Sequence, residues 1–164
     1  MYQRHKGKVQ MATSNATQHL EEEYVEINTR YGRQVVAKSS LLSFPRGLPG
    51  FEDLREYKLF HEEGKSTVYY LQSTEDPDIR LPVIAPELCK IDYRVELSED
   101  DVACLEAKPD DELIVVVTVS DNADRPETGI TANFMAPIVI NASSRIGLQK
   151  TLHQVSGGVV IQAR

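Results

Sequence analysis

The chain has 164 residues, 41% of them hydrophobic and 26% charged, with a formal net charge of −7 at neutral pH. That length suits a single domain able to bury a core. The acidic balance argues against direct nucleic-acid binding, which needs a basic face to displace counterions, and suits a basic protein partner instead. No run approaches the roughly 18 apolar residues of a membrane helix and no apolar leader opens the chain, so a cytoplasmic protein without membrane attachment is expected. Cys89 and Cys104 are the only cysteines and form no C-x-x-C pair, which predicts free, buried thiols rather than a zinc or redox site.

Residues 1–22 are polar and aperiodic and read as a disordered or loosely attached extension; residues 23–164 read as one β domain. Val25, Ile27 and Thr29 alternate with Glu26 and Asn28, the pattern of a half-buried strand, and Gln34–Lys38 returns after a turn at Tyr31-Gly32-Arg33. The next stretch, Leu42 to Leu54, has two prolines and two glycines within six residues, so neither helix nor central strand can cross it. Phe44, Leu48, Phe51 and Leu54 nevertheless make it far more apolar than an ordinary loop. Such a stiff, bent, apolar loop either plugs the open end of a sheet structure or presents side chains to a partner. Plugging is the more ordinary use.

Tyr57–His61 and Ser66–Leu71 flank Glu62-Glu63-Gly64-Lys65 as a second hairpin. The prolines of Leu81–Pro86 predict an edge or irregular strand. Ile91, Tyr93 and Val95 alternate with Asp92, Arg94 and Glu96 as a one-face-buried strand. The period then changes. Ser98 can cap a helix whose capping box Asp101 completes, Leu97 can staple to Val102, Val102 and Leu105 share a face, and Pro109 stops the helix, which spans about residues 98–107. Leu113–Val119 is the most apolar run and predicts a central strand buried on both faces. Ile130–Met135 and Pro137–Asn141 are strands joined by a bend, and Leu148–Ile161 supplies weaker ones. Many short strands and one short helix predict an all-β, mainly antiparallel barrel or sandwich.

Catalytic constellations are not signalled. His5, His19, His61 and His153 show no ligand spacing, and neither a nucleophile elbow nor a P-loop occurs. Ser143 or Ser144 with His153 could in principle form a hydrolase triad, although chance supplies such sets in most proteins. No metal or cofactor is expected. Asn133 and Asn141 stand among strand residues, where an amide competes for backbone partners. For Asn141 a turn satisfied by the amide is expected; Asn133 could instead point to a binding face.

Three blocks carry a family resemblance: Phe44-Pro45-Arg46-Gly47-Leu48-Pro49-Gly50-Phe51-Glu52, Asp92-Tyr93, and Thr131 to Asn141, continued by Arg145, Gly147 and Gln149. With them, Val25 to Gln149 resembles the flagellar assembly factors of the FliW family. The departures are Leu81-Pro82, where the family commonly has a phenylalanine, and the end of the chain from Gln154, which lacks the usual aromatic and basic finish. The resemblance implies a non-enzymatic protein, monomeric when free. It would bind flagellin and also bind the translational repressor CsrA, releasing flagellin mRNA by an allosteric route. Taken with the loop, it makes Phe44, Leu48, Phe51, Glu52 and Asn133 partner-facing or partner-supporting. The alternative is a small-ligand-binding β-barrel with the apolar loop as its lid.

Overall fold

The computed structural model describes residues 21–65, 67–90, 93–121 and 129–152. The extension expected over residues 1–22 and the strands expected beyond Leu152 fall almost wholly outside these. Among the described residues there are ten strands, β1 (Tyr24–Thr29), β2 (Gly32–Ala37), β3 (Leu41–Ser43), β4 (Glu56–His61), β5 (Tyr69–Ser73), β6 (Arg80–Ile84), β7 (Leu113–Asp121), β8 (Ile130–Ala132), β9 (Ile138–Asn141) and β10 (Ile146–Gln149), with one α-helix, α1 (Glu99–Cys104). Among the described strands, β1 and β2 pair only with each other. Strands β6-β5-β4-β3-β10-β9-β7 form a sheet that closes when β7 returns to β6, giving a seven-stranded barrel; β8 adds to β7. All pairings are antiparallel except β3 with β10.

Side-chain parity explains the two cores. Leu42, Leu71, Val83, Val116, Ile138 and Ile140 point inward from five strands, β3, β5, β6, β7 and β9, and meet Phe44, Leu48 and Tyr57. The neighbours Val115, Val139, Ile146 and Leu148 point outward, where Val95, Leu97, Cys104 and Leu105 cover them. β9 is therefore buried at all four positions. β7, expected to be buried on both faces, is buried at Val116, Val117 and Val119, whereas Leu113 and Ile114 at its start are exposed.

Three further expectations are corrected. Leu81–Pro86 reads as an edge or irregular strand, yet β6 is a regular strand lying between β5 and β7. The barrel tolerates Pro82 because the β7 ladder covers only Val83 and Ile84 and stops where no N–H is available to extend it. Among the described residues 93–98 there is no strand. Their alternating burial is real, but the apolar side packs on the barrel's outer wall instead of joining a ladder. Val102 is 39% exposed and so does not share the buried face of Leu105; Asp101, Cys104 and Leu105 form that face. The cysteines are free as expected, but Cys89 is exposed and Cys104 half-buried.

The helix cap is as the sequence implies. The Asp101 N–H donates to Ser98 Oγ (3.2 Å), and the Ser98 N–H donates to Asp101 Oδ2 (3.0 Å). Asp101 also receives Arg46 Nη1 on Oδ1 (2.8 Å) and Lys150 Nζ on Oδ2 (2.6 Å). Burial alone would raise its pKa; hydrogen bonds from Lys150, Arg46 and Ser98 outweigh that and hold the carboxyl far below the usual range.

Replacing Asp101 by Asn is expected to lower stability near neutral pH by about 2 kcal/mol, less than for a fully buried pair because both cations are partly solvated. A depressed folded pKa stabilises above the unfolded value of about 4 and is lost as pH falls below it. Urea melts should therefore show the wild-type advantage shrinking toward pH 2.5. A Cβ on Gly147 would lie 2.6 Å from the Phe44 ring. Gly147→Ala should cost about 1–3 kcal/mol, and Phe44→Leu in the same chain should relieve part of that cost in a double-mutant cycle. Leu48 is 1% exposed, so Leu48→Asp should abolish cooperative thermal unfolding by forcing a charge into the core.

A candidate protein-binding groove beside the plug loop

The stretch between β3 and β4 folds on itself. The Phe44 N–H donates to the Arg55 carbonyl (2.7 Å), that of Gly47 to Phe44 (2.8 Å), that of Phe51 to Leu48 (2.8 Å) and that of Leu54 to Phe51 (3.0 Å). Gly47 has φ +67° and lies so close to Glu52 that a Cβ would stand 2.6 Å from its carbonyl oxygen. No other residue meets both demands. These bends send Phe44 and Leu48 into the barrel, where the Phe44 ring meets Tyr57 edge-on at 5.3 Å. The Tyr57 phenol is itself buried, which pushes its pKa up to about 12, with the Glu75 charge adding to the shift.

A groove of about 430 Å³ opens beside this loop. Leu48, Pro49 and Phe51 contribute from the loop, Leu81 and Pro82 from β6, and Thr118, Val119 and Ser120 from β7. Thr131, Asn133 and Ala136 contribute from β8 and the turn after it, and Gln149 and Thr151 from β10 and its continuation. Its position follows from strand pairing. The register Val83↔Thr118 and Ile84↔Val117, continued, would set Pro82 opposite Val119 and Leu81 opposite Ser120. The ladder instead ends, and the strands part at the residues that line the groove.

Of the five residues expected to face or support a partner, Leu48, Phe51 and Asn133 come together here. Leu48 lends only an edge of a buried side chain, Phe51 is half-buried and Asn133 exposed. Phe44 is wholly buried away from solvent and supports the loop from inside. Glu52 is exposed but outside the groove lining; its carboxylate accepts the Gly50 N–H (2.8 Å), and that bond lowers its pKa. The Asn133 side chain accepts the Met135 N–H (3.2 Å) while the Asn133 backbone N–H donates to the Thr118 carbonyl (2.8 Å), so the residue shapes the turn as well as the lining. Gln149, which continues the third motif block, also lines the groove, and its Nε2 donates to the Ala136 carbonyl (2.8 Å). The β6 and β7 contributors carried no local signal, because their role arises only from the parting of the two strands.

The lining is made of apolar side chains, hydroxyls and amides; among the described residues that form it there is no carboxylate, imidazole, amine, guanidinium, thiol or phenol. It can bury apolar surface and exchange hydrogen bonds, but offers no group to move a proton near neutral pH. Elsewhere, Ser144 Oγ donates to the Leu105 carbonyl (2.7 Å), while its suggested partner His153 lies outside the described residues. The barrel interior, where a lidded ligand would sit, is filled by Phe44, Leu48, Tyr57 and their neighbours. Among the described residues no group of three or more His, Cys, Asp or Glu side chains is placed to hold a metal ion, and no helix is long and apolar enough to cross a membrane.

Comparison with known proteins is consistent across sequence and structure. The family model described as "FliW protein" matches residues 26–160. A flagellar assembly factor FliW from Azoarcus sp. (strain BH72) is 41% identical over 138 residues, 82% of this chain and 94% of that protein. One from Clostridium tetani is 37% identical over 126 residues, covering 76% and 86% respectively. A solved structure titled "Crystal structure of the flagellar assembly factor FliW" superposes with a TM-score of 0.72 at 26% identity, over 80% of this chain and 91% of that one. With the family model matching residues 26–160 and a relative 41% identical over 82% of the chain, the chain belongs to the FliW flagellar assembly factors.

Proposed function

We propose that this flagellar assembly factor is a non-enzymatic regulatory binder that works in the cytoplasm, associates with flagellin and with the repressor CsrA, and uses the plug-loop groove as one of its two contact surfaces. The observation that carries this reading is the convergence of two motif blocks. Phe51 and Pro49 come from the first, Thr131, Asn133 and Gln149 from the third, and all line one groove with no titratable group in it. Residues some 80 positions apart are brought to one surface by the barrel, and that surface has the apolar and hydrogen-bonding character of an interface centre. Ile130 and Met135, sequence neighbours of the lining, are 62% and 45% exposed and extend its apolar character.

Charge supports the choice of partners. A net charge of −7 gives a field that speeds encounter with a basic RNA-binding protein. A contact away from the repressor's phosphate-binding residues would act by favouring its RNA-free state, which demands different affinities for the two states.

Purified chain mixed with CsrA, and separately with flagellin, should co-elute in size-exclusion chromatography. Phe51→Ala and Asn133→Ala should each weaken one of the two complexes by about tenfold, corresponding to roughly 1.4 kcal/mol. They should leave the other complex nearly unchanged and lower the melting temperature only modestly, Phe51→Ala through lost packing on the core and Asn133→Ala through a lost turn hydrogen bond. Independent elution of all three proteins at high concentration would reject the binding reading, and unaltered affinities in both variants would move the contact away from the groove.

A further inference from the structure

Asp101 lies outside the groove, yet the two cations it binds flank groove residues in the chain. Arg46 stands two positions before Leu48 in the plug loop, and Lys150 stands between Gln149 and Thr151. Arg46 is gripped twice, since its Nη2 also donates to the Asp100 carbonyl (3.0 Å). The carboxylate is itself immobilised: it is 6% exposed and tied to the Ser98 cap. Backbone bonds secure the segments less evenly. The Lys150 and Leu152 N–H groups donate to Pro137 (2.9 Å) and Met135 (2.8 Å), whereas the Pro49–Phe51 tip relies on bonds within its own loop.

We infer that Asp101 is a positioning residue for the groove: one buried carboxylate, through Arg46 and Lys150, holds the plug-loop side and the β10 side at a fixed separation. Charge-assisted hydrogen bonds to a single rigid acceptor suit this task, because loosening one side does not release the other. Recognition at the groove would then depend on a residue that no partner touches. The inference rests on the groove as the contact surface for its consequence in binding, but its structural part is independent of any partner.

Amide hydrogen exchange on the full chain tests that part without a partner. Asp101→Asn should speed exchange at Phe51, Lys150 and Leu152 at least about tenfold more than at Ser73, whose N–H bond to the Ile79 carbonyl (2.9 Å) lies in neither segment. Arg46→Met should loosen Phe51 alone, and Lys150→Met should loosen Lys150 and Leu152 alone. Lys150→Met keeps the test informative if Asp101→Asn fails to fold, because its side chain is already partly solvated. Equal acceleration at Ser73, or either cation variant loosening both sides alike, would overturn the inference. These rates stand whether or not CsrA or flagellin binds, so failure of the functional reading is distinguishable from failure of this one.

Discussion

The structure depends on placing the Phe44 ring inside the barrel. The ring occupies space that only a glycine at 147 leaves free, and it meets Tyr57 edge-on. Its burial, with that of Leu48, is worth about 2 kcal/mol or more per side chain and anchors the start and the middle of a loop that has no ladder of its own. Once these two residues are committed inward, the short path to β4 obliges Gly47 and Gly50 to adopt positive φ, and the tip with Pro49 and Phe51 can only lie on the barrel's rim. The plug and the surface it presents are thus one construction. The plug and the rim of the groove beside it are built from the same loop.

Electrostatics adds a second level of order. Most charged groups of this acidic chain are solvated, and surface pairs such as Glu23–Lys38 contribute little. Asp101 differs because a capped helix, the plug loop and the end of β10 share it. A buried carboxylate with two cationic partners is a costly arrangement for stability alone. It is easier to understand where relative placement matters, and the segments it fixes are those bordering the groove.

Much of this was legible in the residues. Alternation at Val25–Thr29, the β-branched run before Val119 and the turn glycines gave strands; Ser98 and Asp101 gave the capped helix; the prolines and glycines around Leu48 gave the bent loop. Asn141 behaves as its type suggests, donating to the Leu105 carbonyl (3.1 Å) and Asp111 (2.9 Å) and accepting the Ser143 N–H (2.9 Å). The misreadings share a cause. Val95 and Leu97 alternate like a strand because one side is buried, but period records burial and not pairing. Val102 was assigned to the buried face by spacing, although the carboxylate of Asp101, a polar group no periodicity would place inside, occupies it. Pro82 suggested an edge, yet closure of a barrel lets a proline sit where one ladder ends.

The sequence by itself determined the class of structure, the stiffness of the loop, the helix cap and the family, because these follow from local backbone preference and from contiguous motifs. Only the tertiary structure decided which of the loop's apolar residues are plug and which are surface. It alone brought Phe51 beside Asn133 and Gln149, and it alone made Asp101 a shared anchor. Those outcomes are set by barrel closure, which fixes distances between residues far apart in the chain that no local pattern encodes.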